Sequence, residues 1–230
     1  MNISLLKNRS VFRSKTFELN LVEPPIIDRV EIDGKRFYNT PDGTFPSVTT
    51  VLSNLEKASL DDWKKRVGEE EAERRRNRGA NRGTRLHRVV EDYMLNKPVE
   101  DVFKDVQADT KSLFESIRKH LDSIDLVYGV ETPLYSKLLR TAGTTDQLCV
   151  INGKNTVLDL KTATNPKRDE HLTSYYYQAT CYAMMAESLF QKNFEQCVLL
   201  IAVEWDRPQV VSFDSNKYRS EVIEFFEKHT

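Results

Sequence analysis

Asp159 and Lys161 stand two apart in the run 156–162 (TVLDLKT), where Val157, Leu158 and Leu160 mark an apolar strand. Alternation along a strand puts the two polar side chains on one face. A carboxylate and an ammonium projecting from an apolar strand are costly unless they are paired or used. A second acid, Asp146, follows Gly143-Thr144-Thr145 and opens another apolar run, 147–151 (QLCVI). Asn152-Gly153 separates the two runs and is the strongest two-residue hairpin signal, so a hairpin brings Asp146 and Asp159 together. Two carboxylates and the Leu160 carbonyl supply the hard oxygens that Mg²⁺ or Mn²⁺ prefers. Lys161 beside them can orient a water or offset charge on a phosphate. The bland alternative is a strand-edge ion pair.

Other residues join this set by spacing. Gln178 and Tyr182 are four apart in a helix that begins soon after the Asp159 strand, and so share a face. Core packing for the tyrosine and solvation for the glutamine compete with a role at the site. His87 and Glu91 share another helical face, and a neutral imidazole can complete a metal shell. Arg75, Arg78, Arg82, Arg85 and Arg88 recur at steps of three or four, a stripe that can track a phosphate backbone or pair with nearby glutamates. Ser47, Thr49 and Thr50 sit at a predicted helix start, where hydroxyls and free N–H groups either bind an anion or simply cap the helix.

The elements that must position these residues follow from pattern. Residues 30–38 read as a hairpin turning at Asp33-Gly34, and 39–43 as a turn. Residues 45–53 lead into a helix capped by Ser47 or Thr49, and Ser59-Leu60-Asp61-Asp62 has capping-box spacing before a second helix through Trp63. Gly79 and Gly83 are expected to interrupt or kink the next stretch, with a helix from about 84 to 95. An amphipathic helix follows over about 109–124, then strands at 126–136, 145–151 and 155–161, and a helix over about 171–191. Strands at 197–204 and 209–213 precede a last helix capped by Ser215. That order predicts an α/β chain, a mixed sheet with helices packed on it and a helical N-terminal portion.

Composition narrows the classes. The chain has 230 residues, 39% of them hydrophobic, and 34 basic against 35 acidic side chains, so bulk charge neither demands nor excludes nucleic acid. Cys149, Cys181 and Cys197 are scattered, which argues against a zinc site or a disulfide framework and for a reducing, intracellular setting. The chain lacks an apolar run long enough for a membrane span. Lys7, Arg9, Arg13 and Lys15 give the start a basic arm that only weakly suggests a presequence.

In chain order, His87, Gly143-x-x-Asp146, Asp159-x-Lys161 and Gln178-x-x-x-Tyr182 resemble the PD-(D/E)XK nuclease superfamily, in its RecB-like branch. The stretch 37–52 (FYNTPDGTFPSVTTVL) resembles the N-terminal signature of the mitochondrial genome maintenance exonucleases and their phage relatives. The resemblance implies a restriction-endonuclease-like core and a metal-dependent exonuclease preferring single-stranded DNA ends, in replication, recombination or degradation. A structure-dependent flap endonuclease and a non-catalytic single-strand-binding module are its alternatives. It implies His87, Asp146, Asp159 and Leu160 as metal ligands and Lys161, Gln178 and Tyr182 as completing the site. Ser47, Thr49, Thr50, Arg78, Arg82 and Arg85 would contact DNA, and Trp63 and Tyr38 would stack on bases. It divides the chain into an arm and hairpin (1–36), a helical DNA-binding portion covering the site (37–124) and a catalytic core (125–230). Relatives with an iron–sulfur cluster use four cysteines; three here imply none. A phage protein in bacterial cytoplasm is favoured over a mitochondrial one, and no protein partner is identified.

Overall fold

Two strand turns set the architecture, and both use residues that tolerate a left-handed backbone. Asn152 and Gly153 have φ of 52° and 74°, joining Thr141–Ile151 (β6) to Lys154–Ala163 (β7), as the Asn-Gly signal requires. Asp33 and Gly34, at 52° and 70°, do the same between Asp28–Ile32 (β2) and Lys35–Thr40 (β3). The computed structural model describes residues 15–230 and, apart from Glu56, Ala58 and Ser59, their side chains. The basic arm up to Arg13 lies outside the described residues. Lys15, inside them, donates to the carbonyls of Asp122 (2.7 Å) and Ile124.

The main sheet has six strands in the order β1-β5-β6-β7-β8-β9, where β1 is Glu18–Leu19, β5 Ile124–Ser136, β8 Gln196–Val203 and β9 Gln209–Asp214. β5, β6 and β7 form an antiparallel meander, β7 and β8 run parallel, and β9 is antiparallel to β8. The parallel step needs a crossover, supplied by the helix Thr173–Phe190 (α5 in chain order). A smaller sheet joins β2, β3 and Gly43–Pro46 (β4).

β8 is apolar on both faces, the mark of a strand covered twice. Cys197, Leu199, Ile201 and Val203 face one core with Val48–Val67 (α1), α5 and Arg219–His229 (α6). Val198, Leu200 and Ala202 face a second core with Glu69–Met94 (α2), Val99–Val102 (α3) and Ala108–Leu121 (α4). Leu86, Val89, Val90, Tyr93 and Met94 of α2 meet Leu113, Phe114, Ile117 and Leu121 of α4 there. Each such side chain, fully buried, contributes roughly 1.5–3 kcal/mol. The result is the expected α/β architecture, a central mixed sheet flanked by helices.

Three local expectations need correction. Gly79 and Gly83 do not break α2, which runs unbroken through both. The buried stripe of its second half outweighs the roughly 1 kcal/mol a helical glycine costs. A Cβ at Gly83 would sit 3.9 Å from Thr162 Oγ1, so the small residue also lets α2 approach β7. Ser59 caps nothing, because α1 is continuous from Val48 to Val67. Ser215 does not cap α6; Tyr218 holds that position, and Ser215 is buried in the preceding turn.

Candidate active site

The meander places acids in a row. β6 and β7 pair from Ile151/Lys154 to Gln147/Leu158 and then part, and one further step of that register sets Asp146 opposite Asp159. On the other side of β6, Val130 pairs with Gln147 and Thr132 with Thr145, so Glu131 stands opposite Asp146. Glu131 has φ 45°, a left-handed kink that a non-glycine residue takes only when its surroundings hold it. Three carboxylates thus cross three adjacent strands where two of them fork.

The fork is stitched by the site's own groups. Asp146 Oδ2 accepts the Leu160 N–H at 2.6 Å, where a ladder bond would otherwise run. The Leu160 carbonyl faces His87 Nε2 at 3.1 Å, and His87 Nδ1 lies 3.2 Å from Glu131 Oε1 and 3.4 Å from Asp146 Oδ1. Lys161 Nζ lies 2.5 Å from Asp159 Oδ2 and forms an ion pair with it. Asp159 is 1% exposed, and its other oxygen, Oδ1, has no hydrogen-bond partner among the described residues. A buried carboxylate oxygen left this way is costly, and the Lys161 ammonium beside Oδ2 offsets part of that cost.

The electrostatics follow from burial and neighbours. Burial drives the Asp159 carboxyl up to about 6, against Lys161, which favours its charge, and with Asp146, which opposes it. Burial also opposes charge on Asp146, yet His87, Lys161 and the Leu160 N–H hold its carboxyl below the usual range. Burial opposes charge on His87, but Asp146 and Glu131 outweigh it and raise the imidazole to about 10. Burial opposes the Lys161 ammonium too, and Asp159 and Asp146 reverse the sign and raise it. Without metal, then, His87 is an imidazolium lodged between two carboxylates, where a divalent ion would put its own charge.

Ligand atoms of His87, Glu131 and Asp146 lie within 4.8 Å of one another, a cluster that can hold a metal ion. The chemistry of the set fits a hard divalent cation: carboxylate oxygens, one imidazole, a backbone carbonyl and an acid with one orphaned oxygen beside them. Glu131 is the member of this cluster that sequence reasoning missed. The signal was an acid inside the apolar run 126–136, adjacent in the meander to the strand of Asp146. Glu91, one helical turn from His87, is raised by burial and by Glu131 and so stands at the rim of the same cluster.

Helix α5 closes the other side. Tyr182 is buried, and its hydroxyl is pushed well above the usual range by burial first and then by Asp146 and Asp159. A Cβ at Gly143 would stand 2.7 Å from the Tyr182 hydroxyl, which is the physical reason for a glycine three residues before Asp146. Gln178, half-buried, lines a cleft of about 180 Å³ with Tyr175 on α5 and Thr49 and Ser53 on α1. Lys161 Nζ and Lys167 Nζ each lie 5.3 Å from the Tyr175 ring centre.

The remaining candidates are placed differently. Ser47 caps α1, its Oγ accepting from Thr50 N at 3.0 Å and lying 3.0 and 2.8 Å from the Thr49 and Thr50 hydroxyls. Ser47 is buried and Thr49 exposed, so only the latter is presented to the α1–α5 cleft. The arginine stripe is largely paired: Arg75 with Glu71, Arg78 and Arg82 with Glu204, Arg85 with Asp109, Arg88 with Asp92. Arg82 is a correction, being buried and held by Glu204 at 2.9 Å and Thr164 at 3.1 Å rather than presented to a ligand. Tyr38 is a second, since at 5% exposure its ring has no face for a base. Trp63 lines a separate cleft of about 590 Å³ between α1 and α2. It lies sixteen residues, about 24 Å of helix, from Ser47. Among the described residues, no helix is long and apolar enough to cross a membrane.

The sequence matches no family profile and no curated protein sequence. Among solved structures it is similar to a "putative exonuclease" from Eubacterium rectale, with TM-score 0.45 and 12% identity over 64% of this chain and 64% of that one.

Proposed function

We propose that the chain is a metal-dependent DNA exonuclease that hydrolyses phosphodiester bonds from single-stranded ends. The observation that carries this reading is the fork of β6 and β7, where Glu131, Asp146, Asp159 and His87 meet beside Lys161. Glu131, Asp146, Asp159, His87 and the Leu160 carbonyl would hold Mg²⁺ or Mn²⁺, which when bound supplies Lewis acidity toward the phosphate and hydroxide near neutral pH. Lys161, kept cationic by Asp159 and Asp146, is suited to orient the attacking water and to offset charge growing on the phosphate oxygens, not to accept a proton. The hydroxyl of Tyr182, kept protonated, can only donate to such an oxygen. Gln178 and Thr49 line a small cleft with Tyr175, whose ring centre lies 5.3 Å from Lys161 Nζ, and would meet the strand beside the scissile bond.

Digestion of 5′- and 3′-labelled single strands with Mg²⁺ and with EDTA tests the reading. Stepwise shortening that EDTA stops is the expected result, with an end-free circular strand left intact. Cleavage of the circle would replace it with an endonuclease, and binding without cleavage with a DNA-binding module.

A further inference from the structure

Trp205 is the most exposed large hydrophobic side chain among the described residues, at 91%, and it stands in the left-handed region at φ 61°. A tryptophan on a strained turn with both ring faces in water is a costly choice for a residue that only links two strands. The turn is firmly held. Glu204 N donates to the Ala163 carbonyl at 3.0 Å, the Glu204 carboxylate is clamped by Arg78 and Arg82, and Gln209 bonds the backbone of Lys167 at 2.6 and 2.8 Å. Beneath the ring lies a cleft of about 850 Å³ between this turn and α4. Its floor includes Leu113, Val203 and Pro208, and its walls carry Lys119 and Arg207. Asp109 and Glu204, also in the wall, are engaged by Arg85, Arg78 and Arg82. Lys119 and Arg207 form no ion pair among the described residues, whereas Asp206 is turned to the Arg207 backbone N–H at 2.6 Å.

A second groove of about 350 Å³, lined by Arg74, Arg75, Arg78 and Arg82 and by Thr164 just past the β7 end, meets the first at Arg78. On α2, Arg78 precedes His87 by nine residues, about 14 Å of helix. Lys161 lies near the C-terminal end of β7, three residues before Thr164. The surface therefore runs from an arginine-lined groove beside the C-terminal end of β7 to an upturned aromatic ring flanked by two free cations.

We propose that Trp205, with Lys119 and Arg207, forms a second binding site for single-stranded nucleic acid, which takes the strand beyond the scissile bond. A base stacks on the Trp205 ring and flanking phosphates meet the two cations, a mode that is indifferent to sequence because every base has a π-face. It rests on the nuclease reading for its substrate, and it moves the stacking role from the buried Tyr38 to the β8–β9 turn.

The test uses the full chain in EDTA, so that strands stay intact, with a long oligothymidylate as probe. Fluorescence of the two tryptophans, Trp63 and Trp205, is followed during titration, and affinity is measured by anisotropy. The expected result is quenching that is mostly lost in Trp205→Ala, with affinity down about tenfold in that variant and largely restored in Trp205→Phe. Lys119→Ala with Arg207→Ala lowers the salt slope of binding by about two. Wild-type affinity and undiminished quenching in Trp205→Ala would overturn the site, as would quenching by no nucleic acid at all, which would point the ring toward a protein partner. A separate Mg²⁺ digestion distinguishes the two readings: strand binding through Trp205 without cleavage retains this site and removes the nuclease.

Discussion

Helix α2 carries two charged regions that differ in one respect. Along it runs a row of arginines whose charges are answered: Arg75 by Glu71, Arg78 and Arg82 by Glu204, Arg85 by Asp109, Arg88 by Asp92. Between Arg85 and Arg88 on the same helix, His87 faces a region where three acids meet only two cations, Lys161 and His87 itself. Three acids share one row, and Asp159 Oδ1 is buried without a hydrogen bond. Paired charges on an exposed face contribute little to stability and can serve as scaffold or as a diffuse phosphate track. Under-satisfied buried charges cost stability, and they persist where an absent cation completes them. Charge density alone would mark the arginines as the functional region, whereas satisfaction marks the fork.

The largest test of that contrast is catalytic. Asp159→Ala and Lys161→Ala each lose about 10³-fold or more in single-turnover cleavage while retaining strand binding. Turnover within a few-fold of wild type in either variant would make the fork a structural ion pair. Arg82→Ala, on the paired side, instead loses about 3 kcal/mol of unfolding free energy, the low end for a broken buried pair, because Arg78 stays beside Glu204. Arg88→Ala changes stability by less than about 0.5 kcal/mol, since that arginine is exposed. Denaturant midpoints decide it; equal losses in the two variants would erase the distinction drawn along α2.

Gly143→Ala sharpens the comparison from inside the fork. Its Cβ would meet the Tyr182 hydroxyl at 2.7 Å and the ring carbons at 3.0 and 3.3 Å, in a buried place where the tyrosine has little room to retreat. A cost of about 1–3 kcal/mol is expected. A larger fractional loss of cleavage than of folded protein is expected too, because Tyr182 moves relative to Asp146 and Asp159. Thermal melts alongside rates separate the two effects, and a variant as active and stable as wild type would mean the ring adjusts freely.

The parts legible in the sequence were those set by local chemistry. Asn152-Gly153 dictates a tight hairpin, and with it the meeting of Asp146 and Asp159. Alternation put Lys161 beside Asp159, and the Ser47 hydroxyl capped α1. What stayed hidden depended on register between strands and on packing at a distance. Glu131 reaches the row through the β5–β6 register, which irregularities between Ile124 and Leu126 and between Val127 and Gly129 shift. Those shifts are invisible to periodicity. Gly79 and Gly83 read as breaks because propensity is local, whereas the stripe from Leu86 to Met94 that holds α2 straight against α4 is tertiary. The arginine stripe left a phosphate track and pairing with nearby glutamates both open, because its partners Glu204 and Asp109 lie far along the chain.

The smallest expected effect is a slope. In EDTA, the stability contributed by His87 is fully present below its ordinary value of 6.5 and is lost as pH rises through about 10, since its folded-state imidazole is the raised one. Asp159 acts in the same direction at lower pH, because an acid raised from 3.8 to about 6 penalises the folded state as it ionises across that interval. The metal-free protein should therefore melt at falling temperature from neutral toward alkaline pH, and His87→Gln should flatten that fall. Mg²⁺ should act oppositely, stabilising more as pH rises, because imidazole must shed its proton to become a ligand. Melting curves at several pH values, with EDTA and with Mg²⁺, read both signs. A Mg²⁺ effect independent of pH would remove His87 from the ligand set while leaving the acid row in place, and would make the imidazolium a permanent stitch of the fork, closer in kind to Arg82 than to Asp159.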